Sequence, residues 1–187
     1  MRRKNANKGF SLVELIIVIA IMAVLVAILA PQFLKYVERS RNATDIQNAL
    51  AIVDAIEVWL ADPDSTPPRT NKSDRRGSLT IYNRKDNVNE SKIWQYGNDV
   101  FIHDALKNAG FNVDDDTIAW GWFTGDVVIR DIRAVSQKNW TSYIIHADFT
   151  EDGNVYFSFS AYNSNGVTTD AFQKAIEDTG RVFATPP

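Results

Sequence analysis

Glu14 is a lone carboxylate a few residues into a run of apolar side chains that continues to Leu34. A basic head of Arg2, Arg3, Lys4 and Lys8 precedes it, followed by Gly9, Phe10 and Ser11. Leu15 to Leu34 carries no charge. At a rise of about 1.5 Å per residue this run covers about 30 Å, the thickness of a bilayer's hydrocarbon core. A charge at the centre of such a helix costs about 2.5–3.5 kcal/mol on insertion scales. A carboxylate kept in that setting is expected to be used, and its obvious chemistry is to pair with a cation brought to it.

The elements that would position Glu14 admit three readings. A secretory signal fits badly: the apolar run is long, a cut after the best small-residue candidate, Ala30, would put Ile28 at the −3 position, and Pro31 follows at once. A plain membrane anchor, its basic head held inside by the positive-inside rule, explains topology. It leaves Glu14 and the Gly9-Phe10 step without a purpose.

The third reading uses every residue. Lys8-Gly9-Phe10-Ser11-Leu12-Val13-Glu14-Leu15, followed by the apolar helix and Pro31, resembles the type III leader and first helix of type IV prepilins. The resemblance covers about the first thirty-five residues. It implies that a membrane aspartyl prepilin peptidase cuts after Gly9 and methylates the new N-terminal Phe10. The segments would then be a leader over 1–9, an apolar membrane and assembly helix over 10–34, an amphipathic half of the same helix over 35–61, and a globular head over 62–187. Cleavage would leave an α-amine at Phe10, and Glu14 four residues on is one helical turn away. Each charge is costly alone in or near lipid, so pairing Glu14 with the amine of an adjacent subunit relieves both costs. Pro31 removes one backbone hydrogen bond and is expected to kink the rod.

The expected partners are further copies of the chain in a helical filament, the peptidase, a membrane assembly platform and minor pilins. The expected location is the membrane before assembly and the cell surface after it. Cysteine is absent, so the disulfide staple of many pilins is excluded. Cysteine-free heads occur among Gram-positive pilins and among pseudopilins of secretion or competence systems; a large head with a long loop favours the former.

Beyond the apolar run, Ile46, Ala49, Leu50, Val53, Ile56 and Leu60 recur at three- and four-residue spacing, which predicts a stripe packed on the head. Asp45, Gln47, Asp54 and Glu57 are assigned to the opposite, solvated face. Asp62-Pro63 and Pro67-Pro68 stop the helix. Residues 62–95 read as a loop-rich, locally basic excursion with one short strand at 79–82. Its surplus of Arg and Lys could meet an acidic neighbour such as Asp114-Asp115-Asp116, or an anionic polymer including DNA. A short helix over 99–108 precedes an antiparallel sheet over 117–162, whose last hairpin bends at Asp152-Gly153. A short helix over 170–179 follows. The expected fold class is α+β, a long N-terminal helix with an antiparallel sheet on its second half.

Other chemistry is thin. The chain has 20 Lys+Arg against 23 Asp+Glu, net −3, and without the four basic residues before Phe10 the balance is 16 to 23, or −7. That does not suit a dedicated nucleic-acid binder. There is no P-loop and no dinucleotide fingerprint. His103 and His146 sit in no metal-spacing motif and read as ordinary surface or strand residues. Asp148 to Asn154 lacks EF-hand spacing, so a hairpin turn is preferred to a calcium site. No catalytic residue, metal or other cofactor is assigned. Trp94, Trp120, Trp122 and Trp140 are expected in the core or at subunit contacts.

Overall fold

Leu12 to Ala61 forms one α-helix, α1. The computed structural model describes residues 10–65, 76–82, 91–95, 101–113, 127–129, 132, 134–149, 154–163 and 165–184. The chain divides into two compact units, Met1–Arg39 and Ser40–Pro187.

In the first unit, α1 carries Leu, Ile, Val and Ala on every side. All of its large apolar residues from Leu12 to Leu34 are exposed. A helix that is greasy all round has no solvated face to turn to water. Pro31 lies inside this helix without ending it.

In the second unit α1 behaves differently. Ala49, Ile52, Val53, Ala55, Ile56 and Trp59 are buried, while Ile46, Leu50 and Leu60 pack at the margin. The stripe is therefore centred one position away from the expected line, along 45, 49, 52, 56 and 59. Asp62 ends the helix: its N–H still reaches the Trp59 carbonyl at 3.2 Å, and its Oδ1 accepts from the Asp64 N–H at 3.0 Å.

The sheet has six strands in the order β3-β2-β1-β4-β5-β6. They are β1 (Arg76–Tyr82), β2 (Ser91–Gln95), β3 (Val127–Ile129), β4 (Ser142–Phe149), β5 (Val155–Tyr162) and β6 (Thr168–Thr169), each antiparallel to its neighbours. The α+β class holds. The sheet, however, begins earlier than expected: the 62–95 stretch supplies two strands, and β1 lies centrally, paired with β4 from Arg76↔Asp148 to Tyr82↔Ser142. Glycine, serine and arginine in β1 hid it, because strand propensity in a central position is dominated by neighbours. The expected extended segment 117–123, the bend at Asp152-Gly153 and the residues Asp114-Asp115-Asp116 lie outside the described residues, as do Trp120 and Trp122.

Period-two alternation sets the core face. Cross-strand pairs Tyr143↔Ala161, Ile145↔Phe159 and Ala147↔Phe157 are all buried, and the intervening residues are not, apart from Ser142 at the strand's end. The helix α2 (Phe101–Asn108) buries Ile102, Ala105 and Leu106. Its end is closed by Gly110 at φ +87, a conformation that favours glycine. The helix α3 (Ala171–Glu177) buries Phe172 and Ile176. Phe172 stacks on Tyr143 with ring centroids 4.4 Å apart and meets Trp140 edge-on at 4.9 Å. Because β6 is only two residues long, it cannot serve the Phe159 N–H; Gln173 Oε1 of α3 accepts that bond at 2.8 Å.

One polar group breaks the apolar stripe. Asp45 is fully buried, not on a solvated face. Its Oδ1 accepts from the Val135 N–H at 2.7 Å, and its Oδ2 accepts from the Ser136 N–H at 2.9 Å and from Trp140 Nε1–H at 2.7 Å. The carboxylate thus ties α1 to the segment leading into β4. Its partners lie 90–95 residues away, which is why spacing along the helix assigned it to water.

Candidate processing and assembly site

The site begins with how the first turn of α1 is closed. Four N–H groups at a helix start have no partner within the helix. Ser11 precedes the first helical residue, and its Oγ accepts from the Val13 N–H at 3.3 Å. Glu14 reaches back, its Oε2 accepting from the Ser11 N–H at 2.9 Å. Serine followed three residues later by glutamate is the capping-box arrangement, which satisfies two orphan donors reciprocally. The sequence carried this signal as Ser11-x-x-Glu14. It shows Ser11 to be part of the site, a residue that the spacing of Phe10 and Glu14 alone does not single out.

This geometry gives Glu14 a role in the uncut chain. A carboxylate in the first turn also lies at the positive end of the helix dipole, worth about 0.3–1 kcal/mol at an exposed site. In the uncut chain the Phe10 nitrogen is a peptide amide and carries no charge. Phe10 itself is 82% exposed, open to whatever acts on it. Gly9 and Lys8 lie outside the described residues.

Hydrolysis of the Gly9–Phe10 bond would place a carboxylate on Gly9 and an ammonium on Phe10. That ammonium would sit at the positive end of the dipole, one turn from Glu14. It would therefore add a cationic demand on the same carboxylate. A methylated amine stays cationic, so methylation would keep the demand and reduce the number of N–H donors.

The remaining candidate residues are scattered and do not join this site. Pro31 is 17 residues beyond Glu14 on the same helix. His103 is buried in α2, contrary to the expected surface or strand setting, with Nδ1 2.9 Å from Asp104 Oδ1. Its place on the inner side of a short helix explains the burial. His146 lies in β4, with Nε2 3.3 Å from Ser160 Oγ on the neighbouring strand. Trp140 is a core residue, as expected. Among the described residues no group of three or more His, Cys, Asp or Glu side chains could hold a metal ion; residues 150–153 of the Asp148–Asn154 turn are not among them. The basic residues Arg69, Lys72, Arg75, Arg84 and Lys85 also fall outside.

Comparison with known proteins bears on this same segment. Residues 4–30 match the family described as the prokaryotic N-terminal methylation motif. The chain is 35% identical over 94 residues to prepilin peptidase-dependent protein A of Clostridium perfringens, covering 49% of this chain and 66% of that protein. It is 41% identical over 59 residues to the type IV major fimbrial protein FimA of Dichelobacter nodosus, covering 32% and 38%. It is 38% identical over 58 residues to the type IV major pilin protein PilA of Myxococcus xanthus, covering 31% and 26%. The chain thus spans less than two thirds of the length of these curated relatives. No solved structure matches it. With its methylation motif, its pilin and fimbrial homologues and its α+β fold led by one long helix, the chain is type IV pilin-like.

Proposed function

We propose that the protein is a structural subunit of a type IV pilus, cut after Gly9, methylated at Phe10 and polymerised through the first half of α1 into a surface filament. The observation that carries this reading is the single carboxylate, Glu14, in the first turn of α1, whose first half to Leu34 is otherwise uncharged, apolar and exposed. The name of the Clostridium perfringens relative supports processing by a prepilin peptidase, and the fimbrial names of the others support polymerisation.

Before assembly the helix holds the subunit in the membrane, with the head on the outer side. In the filament, an incoming subunit brings its Phe10 amine to a neighbour's Glu14, or receives the reverse. Two charges that would each be costly in an apolar core are neutralised together. The capping box prepares this step by holding the carboxylate at the helix start. The role is structural rather than catalytic, and an assembly platform and minor pilins complete the set of partners. Motility, adhesion and DNA uptake are the tasks such a filament would serve.

The test is Glu14→Ala in the native organism. The expected result is normal membrane insertion and processing with filament assembly abolished or severely impaired. Normal filaments from the variant would overturn the role given to Glu14. Electron microscopy of sheared cells separates a pilus, seen as long filaments containing this chain, from the pseudopilin alternative, which gives none.

A further inference from the structure

Immediately after the apolar run, three side chains form a compact exposed patch on α1. Tyr36 is 64% exposed, and the Arg39 guanidinium carbon stands 5.9 Å from the centre of its ring. Lys35 is also exposed and lies four residues before Arg39, on the same helical face. Glu38, the acidic residue between them, is buried and does not share the patch. An amphipathic aromatic ring with two cations at the end of an apolar span has the composition of a membrane boundary.

We infer that Lys35, Tyr36 and Arg39 form a docking surface for anionic phospholipid headgroups of the outer leaflet, which sets the depth of the span. This rests on the membrane stage of the proposed function. Charge complementarity and direct continuity with the apolar span identify the occupant. Spacing supplies a consequence: 22 residues separate Glu14 from Tyr36, about 33 Å of helix. The hydrocarbon core is about 30 Å thick. With Tyr36 held among outer headgroups, Glu14 comes to the inner boundary and not to the centre. The carboxylate is then wet while the subunit waits in the membrane, and loses water only when the helix is drawn into a filament. Removal of the leader takes away Lys8 and the arginines before it, so the patch becomes the principal basic feature at either end of the span.

The absence of native cysteine allows single labels on the full chain reconstituted in vesicles. A bimane label at Phe33→Cys is quenched with brominated phosphatidylglycerol or brominated phosphatidylcholine. The expected preference is for phosphatidylglycerol, about fivefold for each basic residue engaged, falling to near parity in Lys35→Gln/Arg39→Gln. Equal quenching by the two lipids, or a preference unchanged in the double variant, would overturn the headgroup surface. A second label at Val13→Cys reports depth: shallow quenchers should outperform deep-chain quenchers, and the reverse would overturn the boundary position of Glu14. Aqueous iodide reaching a label at Ile21→Cys would show instead that the helix does not enter the bilayer. That result overturns the membrane stage itself and is distinct from the other two.

Discussion

The two halves of α1 share a backbone and differ in what their side chains require. From Leu12 to Leu34 the apolar residues lie on all sides and are exposed. From Asp45 to Trp59 they lie along one line and are buried by the head, with Gln47, Asp54 and Glu57 left outside. A one-sided stripe finds its partner within its own chain. A helix that is apolar all round must find one elsewhere, in lipid or in other copies. One carboxylate in each half marks the same division: buried Asp45 is met by three donors of its own chain, whereas Glu14 is met by one backbone N–H at an exposed helix start.

The largest effect is expected at Asp45. Asp45→Ala would strand two backbone N–H groups and the Trp140 indole, and each buried donor left unmet costs about 1–3 kcal/mol. A loss of about 3–5 kcal/mol is expected in urea unfolding of the detergent-solubilised chain, followed by tryptophan fluorescence. Next come two isoleucines on the same helix. Ile52→Ala, at a position with no exposure, should cost about 2–5 kcal/mol. Ile21→Ala, at 56% exposure, should leave head stability within about 0.5 kcal/mol. Equal losses from the two would erase the distinction between the halves.

A smaller effect sharpens the picture of the head. The Tyr143 hydroxyl is buried and has no hydrogen-bond partner among the described residues, and burial, followed by the nearby Asp45 charge, raises its pKa well above the ordinary 10.0. The unfolded chain releases this proton near pH 10 while the folded chain keeps it. The contribution to stability is therefore full below that pH and lost as pH rises toward the raised folded value. Tyr143→Phe should be neutral or slightly stabilising at neutral pH and should flatten the alkaline decline in melting temperature. Least affected should be Arg181→Ala. Arg181 bridges Asp54 and Glu57, at 2.9 Å to the latter, but both partners are about half exposed. Such a contact is worth about 0.2–1 kcal/mol, and the small change should shrink further in high salt.

Local signals made much of this visible in the sequence. The greasy run, the helix stop at Asp62-Pro63, the Val155–Tyr162 alternation and the short helix ending near Gly180 all follow from periodicity and turn chemistry. What stayed hidden depends on distant partners. Asp45 reads as a surface carboxylate until the 135–140 segment is folded against it. Strand β1 reads as part of a polar loop until β4 lies beside it. His103 reads as exposed because one short helix gives too few turns to define an inner side. At the candidate site the balance is reversed: Glu14 and Phe10 stand out through charge and motif, and Ser11 was legible as the start of a capping box, since that interaction spans only three residues.

The most direct measurement for the account is the intact mass and N-terminal sequence of the protein isolated from its own cells. A mature chain beginning at N-methylated Phe10 is the predicted result. A chain still beginning at Met1, or one cut after Ala30, would contradict it: in the first Phe10 carries no free amine, and in the second Phe10 and Glu14 are both gone.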